Sequence, residues 1–221
     1  MADELPMFPL NAVLYPGVSL PLRVFEDRYR ALVHHLLRID DPTERLFGSV
    51  AIREGYEVGD HGAQSLFRVG VRLQLTDVEA HADGTFDVLA VVRDRIQLDR
   101  LRRTDSFPVG EVTAVPEPHH EVPASVAEEA RAVFAAYRYV LDDIAGDPLP
   151  GPLPEDPTYL SWTIAASVPL PLAERQGLLE ATDTTERLLL ITDLLRAELR
   201  MMNVLPSLPA TEVARTRWSP N

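Results

Sequence analysis

Leu5-Pro-Met-Phe-Pro-Leu-Asn-Ala-Val-Leu-Tyr-Pro-Gly-Val-Ser-Leu-Pro-Leu-Arg-Val-Phe-Glu-Asp-Arg-Tyr-Arg-Ala-Leu-Val33 is the stretch whose reading decides the fold. Pro6, Pro9, Pro16 and Pro21 each fix φ and cannot donate a ladder hydrogen bond. The first part therefore reads as extended chain at sheet edges and corners. Pro16-Gly17 is a turn dipeptide. From Tyr29 the period changes: Tyr29, Leu32, Val33, Leu36 and Leu37 recur at helical spacing, which predicts a helix over about 27–39. Glu26 and Asp27 suit its first turn, where the helix dipole favours negative charge.

Beyond this helix, residues up to 115 read mostly as strand. Leu46 to Ile52 is an apolar run of strand length. Leu66 to Val78 alternates through Val69, Val71, Leu73 and Leu75. Asp83-Gly84 is a hairpin signal. Phe86 to Val92, Ile96 to Leu101 and Val109 to Val115 supply three more strands. Short strands at this spacing predict a small barrel or sandwich.

Residues 116–124 read as a Pro-rich linker. The period then becomes helical. Ser125 and Glu128 form a capping-box pattern. Val126, Ala130, Val133, Tyr137, Val140 and Ile144 line one predicted face. Asp156-Pro157 pairs a cap residue with Pro at the first helical position. Pro171 can open a further helix through Leu179. Asp183 and Glu186 repeat the capping-box spacing before a helix to about Met202, with Leu188, Ile191, Leu195, Leu199 and Met202 as its buried stripe. The organisation expected is α+β: a β-rich region over 1–115, a linker over 116–124, a helical bundle over 125–205 and a flexible tail over 206–221.

The 221 residues carry a net charge of −13. Acidic residues outnumber basic ones in both halves, so a phosphate backbone is a poor partner and no nucleic acid is expected. The local cluster Arg100, Arg102 and Arg103 reads as a solvated strand face. No apolar run has the length to cross a bilayer, and no secretory leader opens the chain, so no membrane is expected. With no Cys there is no disulfide or thiol chemistry, in keeping with a cytoplasmic location.

A search for chemistry finds no site. His34, His35, His61, His81, His119 and His120 fall into no HExxH arrangement, and no metal is expected. His34 and His35 are adjacent on a helix, so one is expected to face solvent. Asp40-Asp41 and Asp142-Asp143 read as solvated acidic pairs. Neither a GxSxG elbow nor a GxGxxG loop occurs. All 21 basic residues are Arg, which excludes a Walker A Lys and a Lys Schiff base. No catalytic residue and no cofactor are assigned.

The opening segment resembles the N-terminal, substrate-binding domain of Lon protease. That family typically begins Leu-Pro-Leu-Phe-Pro-Leu, then Val-Leu-Phe-Pro-Gly, then Leu-Pro-Leu-Arg-Val-Phe-Glu and Arg-Tyr. Nearly all of this stands between Leu5 and Tyr29. The helical half is also similar, through Leu160-Ser-Trp-Thr-Ile-Ala-Ala-Ser-Val-Pro-Leu170, Glu174 to Asp183, and Glu186-Arg-Leu188. One departure is Val92-Arg-Asp-Arg-Ile96, where the family commonly has Gly before a Gln-Arg-Phe step.

The resemblance implies a PUA-like, partly open β-barrel with one helix, followed by a helical bundle. It extends to the binding part of Lon alone: 221 residues leave no room for the family's ATPase and peptidase modules, and a Ser-Lys dyad is impossible without Lys. The function implied is non-catalytic binding of unfolded or exposed apolar polypeptide segments, as an adaptor or chaperone-like factor with a protease as partner.

An open sheet edge can accept an extended peptide, and an apolar groove can supply side-chain pockets. The contact candidates are Phe8, Tyr15, Phe25, Tyr29 and Trp162. A small-molecule binder on the same fold is the alternative. A tryptophan cage would require clustered Trp, whereas this chain has Trp162 and Trp218. A hydrolase is disfavoured by the missing Lys, Cys and further modules. Client identity and oligomeric state are not encoded in any motif.

Overall fold

The computed structural model describes residues 3–54, 65–104, 106–145 and 151–204. The chain forms two compact units, Met1–Pro116 and Glu117–Asn221.

The first unit contains β1 (Asp3–Pro6), β2 (Ser19–Val24), α1 (Asp27–Leu37), a 3-10 turn (Pro42–Glu44), β3 (Leu46–Ser49), β4 (Ile52–Glu54), β5 (Ser65–Leu66), β6 (Val69–Ala80), β7 (Phe86–Arg103) and β8 (Pro108–Val115). Five strands run in the order β1-β8-β7-β6-β3, β2 joins on β7, and β4-β5 is a separate pair. Every ladder is antiparallel. The strands do not close into a barrel. Beyond the end of β1, Met7 and Leu10 make isolated parallel bridges to Gly48 and Ala51.

Phe86–Val92 and Ile96–Leu101, which read as two strands, are one 18-residue strand. Arg93, Asp94 and Arg95 break the apolar alternation without breaking the ladder. The register slips between Arg72 and Leu73, so β7 bends there and continues. Its first half pairs β2 and its second half pairs β8, with β6 on the other side. This bend is also where the chain departs from the Gly and aromatic of the family pattern. Arg95 is buried and donates to the Pro116 carbonyl at 3.3 Å. Leu46 to Ile52 likewise splits, into β3 and the start of β4.

Leu5, Met7, Val50, Ile96, Leu98 and Val112 form a buried apolar cluster in this unit. Met7 lies over two glycines. A Cβ on Gly48 would stand 2.5 Å from the Met7 sulfur, and one on Gly110 would stand 2.8 Å from a Leu98 methyl and 2.9 Å from Met7. A side chain at either position would displace Met7 from its buried seat.

The second unit contains α2 (Ala124–Ala145), α3 (Pro157–Ser167), α4 (Leu172–Glu180) and α5 (Thr184–Val204). Asp156 caps α3, accepting from the amides of Thr158 at 2.9 Å and Tyr159 at 3.0 Å. Asp183 Oδ1 accepts from the Glu186 amide at 2.8 Å, while Glu186 reaches back to the amide and hydroxyl of Thr182. These bonds to Thr182 hold the Glu186 carboxyl below the usual range.

Two local expectations shift. Ser125 does not cap α2, which starts one residue earlier, with Val126 and Ala127 donating to the Pro123 carbonyl. The buried face of α2 is Ala127, Ala130, Phe134, Tyr137 and Leu141. Ala130 and Tyr137 belong to the expected stripe, whereas Val126, Val133 and Val140 are half-buried. Phe134 and Leu141 have more apolar surface to lose than valines, so they turn the helix onto a 3-4-3-4 seam. The predicted tail over 206–221 lies outside the described residues.

Candidate functional site

Four of the five candidate aromatics belong to the interior. Phe8, Tyr15, Tyr29 and Trp162 are buried. Phe8 stacks on Tyr29 with ring centroids 3.8 Å apart, and the Arg28 guanidinium covers the Tyr29 ring at 4.6 Å. Phe25 differs: it is 55% exposed. It follows the last residue of β2 and precedes α1, held by the strand behind it and the helix ahead. Leu37 and Leu89 are the other large exposed apolar side chains of this unit among the described residues.

β2 pairs with β7 alone among the described residues, so its other edge is open. The Val92 amide donates to the Val18 carbonyl at 2.9 Å. Alternation carries the bonding phase through Leu20↔Ala90, Leu22↔Val88 and Val24↔Phe86. The main-chain groups of Ser19, Pro21 and Arg23 therefore point away from β7. Pro21 removes a donor from the centre of that outward edge without breaking a bond to β7. This is the usual device against strand addition. The surface thus favours side-chain contacts over an added strand.

The outer face near this edge is polar and well paired. Arg23 donates to both Asp87 oxygens at 3.2 Å and to the Thr85 hydroxyl at 2.9 Å. His81 Nε2 lies 2.8 Å from Asp87. The His81 bond, reinforced by Arg23, holds the Asp87 carboxyl below its usual range. The side-chain bond from Thr85 does the same for Asp83. Together these groups clamp the β6–β7 hairpin, whose Gly84 has φ +79°.

Ala31, His34 and His35 on α1 and Arg38 at its C-cap stand at i, i+3, i+4 and i+7, clear of the buried stripe Tyr29, Leu32, Val33 and Leu36. With Ser106 and Phe107 they line an open cavity of about 530 Å³. Both histidines are exposed, and both face this one cavity. His34 meets the edge of Phe86 and His35 tilts against Phe107 at 5.2 Å. One was expected to face solvent; both do, because i+3 and i+4 flank one helix face.

In the second unit, Arg187 is the largest fully buried side chain. It donates to both Glu117 oxygens at 2.8 and 3.0 Å, to Ser161 Oγ at 2.9 Å and to the Leu178 carbonyl at 3.3 Å. Its guanidinium lies 3.3 Å from the Trp162 ring centroid. Trp162 is thus committed to a buried cation. Glu117, which reads as linker, is the carboxylate that neutralises it. On the outside of this unit Tyr139, Tyr159, Leu189, Leu190 and Met201 are exposed.

Among the described residues no group of three or more His, Asp or Glu could hold a metal ion. No described helix is long and apolar enough to cross a membrane. Arg102 of the arginine cluster is spent on Glu4 and Glu111.

Residues 4–197 match the family model for the ATP-dependent protease La (LON) substrate-binding domain. A "Lon protease 2" of Herpetosiphon aurantiacus is 30% identical over 206 residues, which is 91% of this chain and 24% of that protein. A Lon protease of Xanthomonas oryzae is 28% identical over 89% of this chain and 23% of its own length. The chain therefore spans about a quarter of these relatives. Among solved structures, a Lon N-terminal domain protein from Xanthomonas campestris superimposes with a TM-score of 0.62 and 26% identity, covering 84% of this chain and 95% of that one. The N-terminal domain of a Mycobacterium avium complex Lon protease shares the fold, with a TM-score of 0.59, 20% identity and coverage of 88% and 98%.

Proposed function

Because the chain belongs to the ATP-dependent protease La (LON) substrate-binding domain family, we propose that it binds polypeptides without transforming them. Its ligands are unfolded or exposed apolar segments, and its role is that of an adaptor or chaperone-like factor that hands them to a protease in the cytoplasm. We read the β-rich unit as PUA-like, a small barrel left open.

The observation that carries the contact assignment is Phe25. It is the one candidate aromatic with most of its surface in water, and it lies between the end of β2 and the start of α1. An aromatic side chain has few torsions to fix, so it buries a large area at little conformational loss. Phe8, Tyr15, Tyr29 and Trp162 support that surface from beneath or pack elsewhere; they act through the fold.

The test is binding of fluorescent unfolded casein to the intact chain, followed by anisotropy. Saturable binding that weakens several-fold in Phe25→Ala, with an unchanged unfolding midpoint, supports the reading. Binding confined to one folded partner, with unfolded casein ignored, overturns it. Casein turnover by the purified chain would overturn the non-catalytic assignment.

A further inference from the structure

We propose that the α1 cavity captures the free C-terminal carboxylate of a polypeptide whose last side chain is apolar. The inference rests on the polypeptide-binding reading above and names a ligand class for that unit.

Three observations converge. First, the lining is cationic or donor-rich in a chain of net charge −13: Arg38, His34, His35 and Ser106 line the cavity, and among the described residues no carboxylate lines it. Second, these donors are unspent. Nearly every other described arginine of this unit is engaged, as with Arg23 on Asp87, Arg30 on Asp27 and Arg72 on Asp3. The Arg38 guanidinium and the ring nitrogens of His34 and His35 make no hydrogen bond among the described residues. Third, the remaining wall is apolar, formed by Phe107 and Ala31.

A cavity of about 530 Å³ is in the range that small ligands and peptide ends occupy. A guanidinium holds a carboxylate through paired, charge-assisted bonds, and each imidazole has an N–H to offer in any protonation state. Only a chain terminus carries an anion and a side chain on the same Cα, so it can meet the Arg38 guanidinium and Phe107 at once. Being a terminus, it leaves by one path and need not thread the site.

The experiment uses the full 221-residue chain and three fluorescein-labelled octapeptides. One ends in Leu as the free acid, one is its C-terminal amide, and one is the amide with an internal Glu. The free acid is expected to bind at least about tenfold tighter than either amide, the scale of one charged hydrogen-bonded contact. Arg38→Gln should erase that difference and Arg38→Lys should restore part of it. Arg100→Gln, an exposed arginine outside the cavity, should leave it intact.

Equal binding of acid and amide overturns the proposal, as does a preference that survives Arg38→Gln. If the internal-Glu amide matches the free acid, the site takes side-chain carboxylates and the terminal assignment falls. Casein binding with no acid preference rejects the cavity proposal while leaving polypeptide binding in place. Loss of both peptide and casein binding rejects the two together.

Discussion

Replacing Arg187 with Met is the sharpest perturbation of the helical unit. Met fills much of the same volume, so the change removes charge and hydrogen bonds more than packing. Lost are the paired bonds to Glu117, the bonds to Ser161 and Leu178, and the contact over Trp162. Glu117, itself only 22% exposed at the side chain, keeps a carboxylate with its cation gone. Breaking one partner of a buried pair costs about 3–5 kcal/mol. The cation–π contact is worth about 2 kcal/mol when desolvated, but it does not add in full because the groups are coupled. Against a typical domain stability of about 5–15 kcal/mol, the helical unit would be left marginal. Urea unfolding followed by circular dichroism at the helix band reads this directly. Arg187→Met should lose at least about 3 kcal/mol, and Glu117→Gln combined with Arg187→Met should lose less than the two single changes together. A loss below about 1 kcal/mol, or strict additivity, would refute the view of Arg187 as the electrostatic centre of this unit.

Further outcomes follow from particular residues. Gly177→Ala should stabilise by roughly 0.5–1 kcal/mol, because it lies in α4 with open space around a Cβ, and thermal melting would reveal this. Gly70→Ala should destabilise by about 1–3 kcal/mol or more, since its Cβ would stand 2.1 Å from the Ser49 carbonyl oxygen; an unchanged melting temperature would contradict that geometry. Asp156→Ala should cost about 1 kcal/mol by uncapping α3, read as a lower urea midpoint. Glu198 is pushed above its ordinary pKa by burial and then by Glu174. A carboxyl raised in the folded state binds its proton more tightly there, so stability falls as pH rises from the unfolded value through the folded one. Glu198→Gln should therefore stabilise the chain at pH 7, and the advantage should vanish toward pH values near about 4.3, the ordinary glutamate value; an advantage independent of pH would contradict this.

Much of the fold is legible in local sequence because its punctuation is covalent. Pro21 dictates an edge strand, Asp156-Pro157 a helix start, and the period change at Tyr29 the helix α1 of the β-rich unit. What stayed hidden depends on partners far along the chain. Val92 to Ile96 looks like a break, yet pairing on both flanks carries β7 through it. Arg187 reads as one more surface charge until Glu117, 70 residues earlier, and Ser161 close on it. The aromatic candidates share one hydrophobic character, and hydrophobicity does not say which ring the fold consumes. Tyr29 and Phe25 are four residues apart, and only one is buried. The α1 cavity left a trace in the 31, 34, 35, 38 spacing, but Phe107 arrives from the approach to β8.

Site-specific photocrosslinking tests the polypeptide-binding claim most directly. A photoreactive phenylalanine analogue would replace Phe25 in one variant, Phe107 in a second and the exposed Tyr139 in a third. Each would be irradiated with unfolded casein. The expected result is efficient crosslinking from positions 25 and 107 and little from 139. Equal yields from all three, or capture from 139 alone, would contradict a binding surface on the β-rich unit.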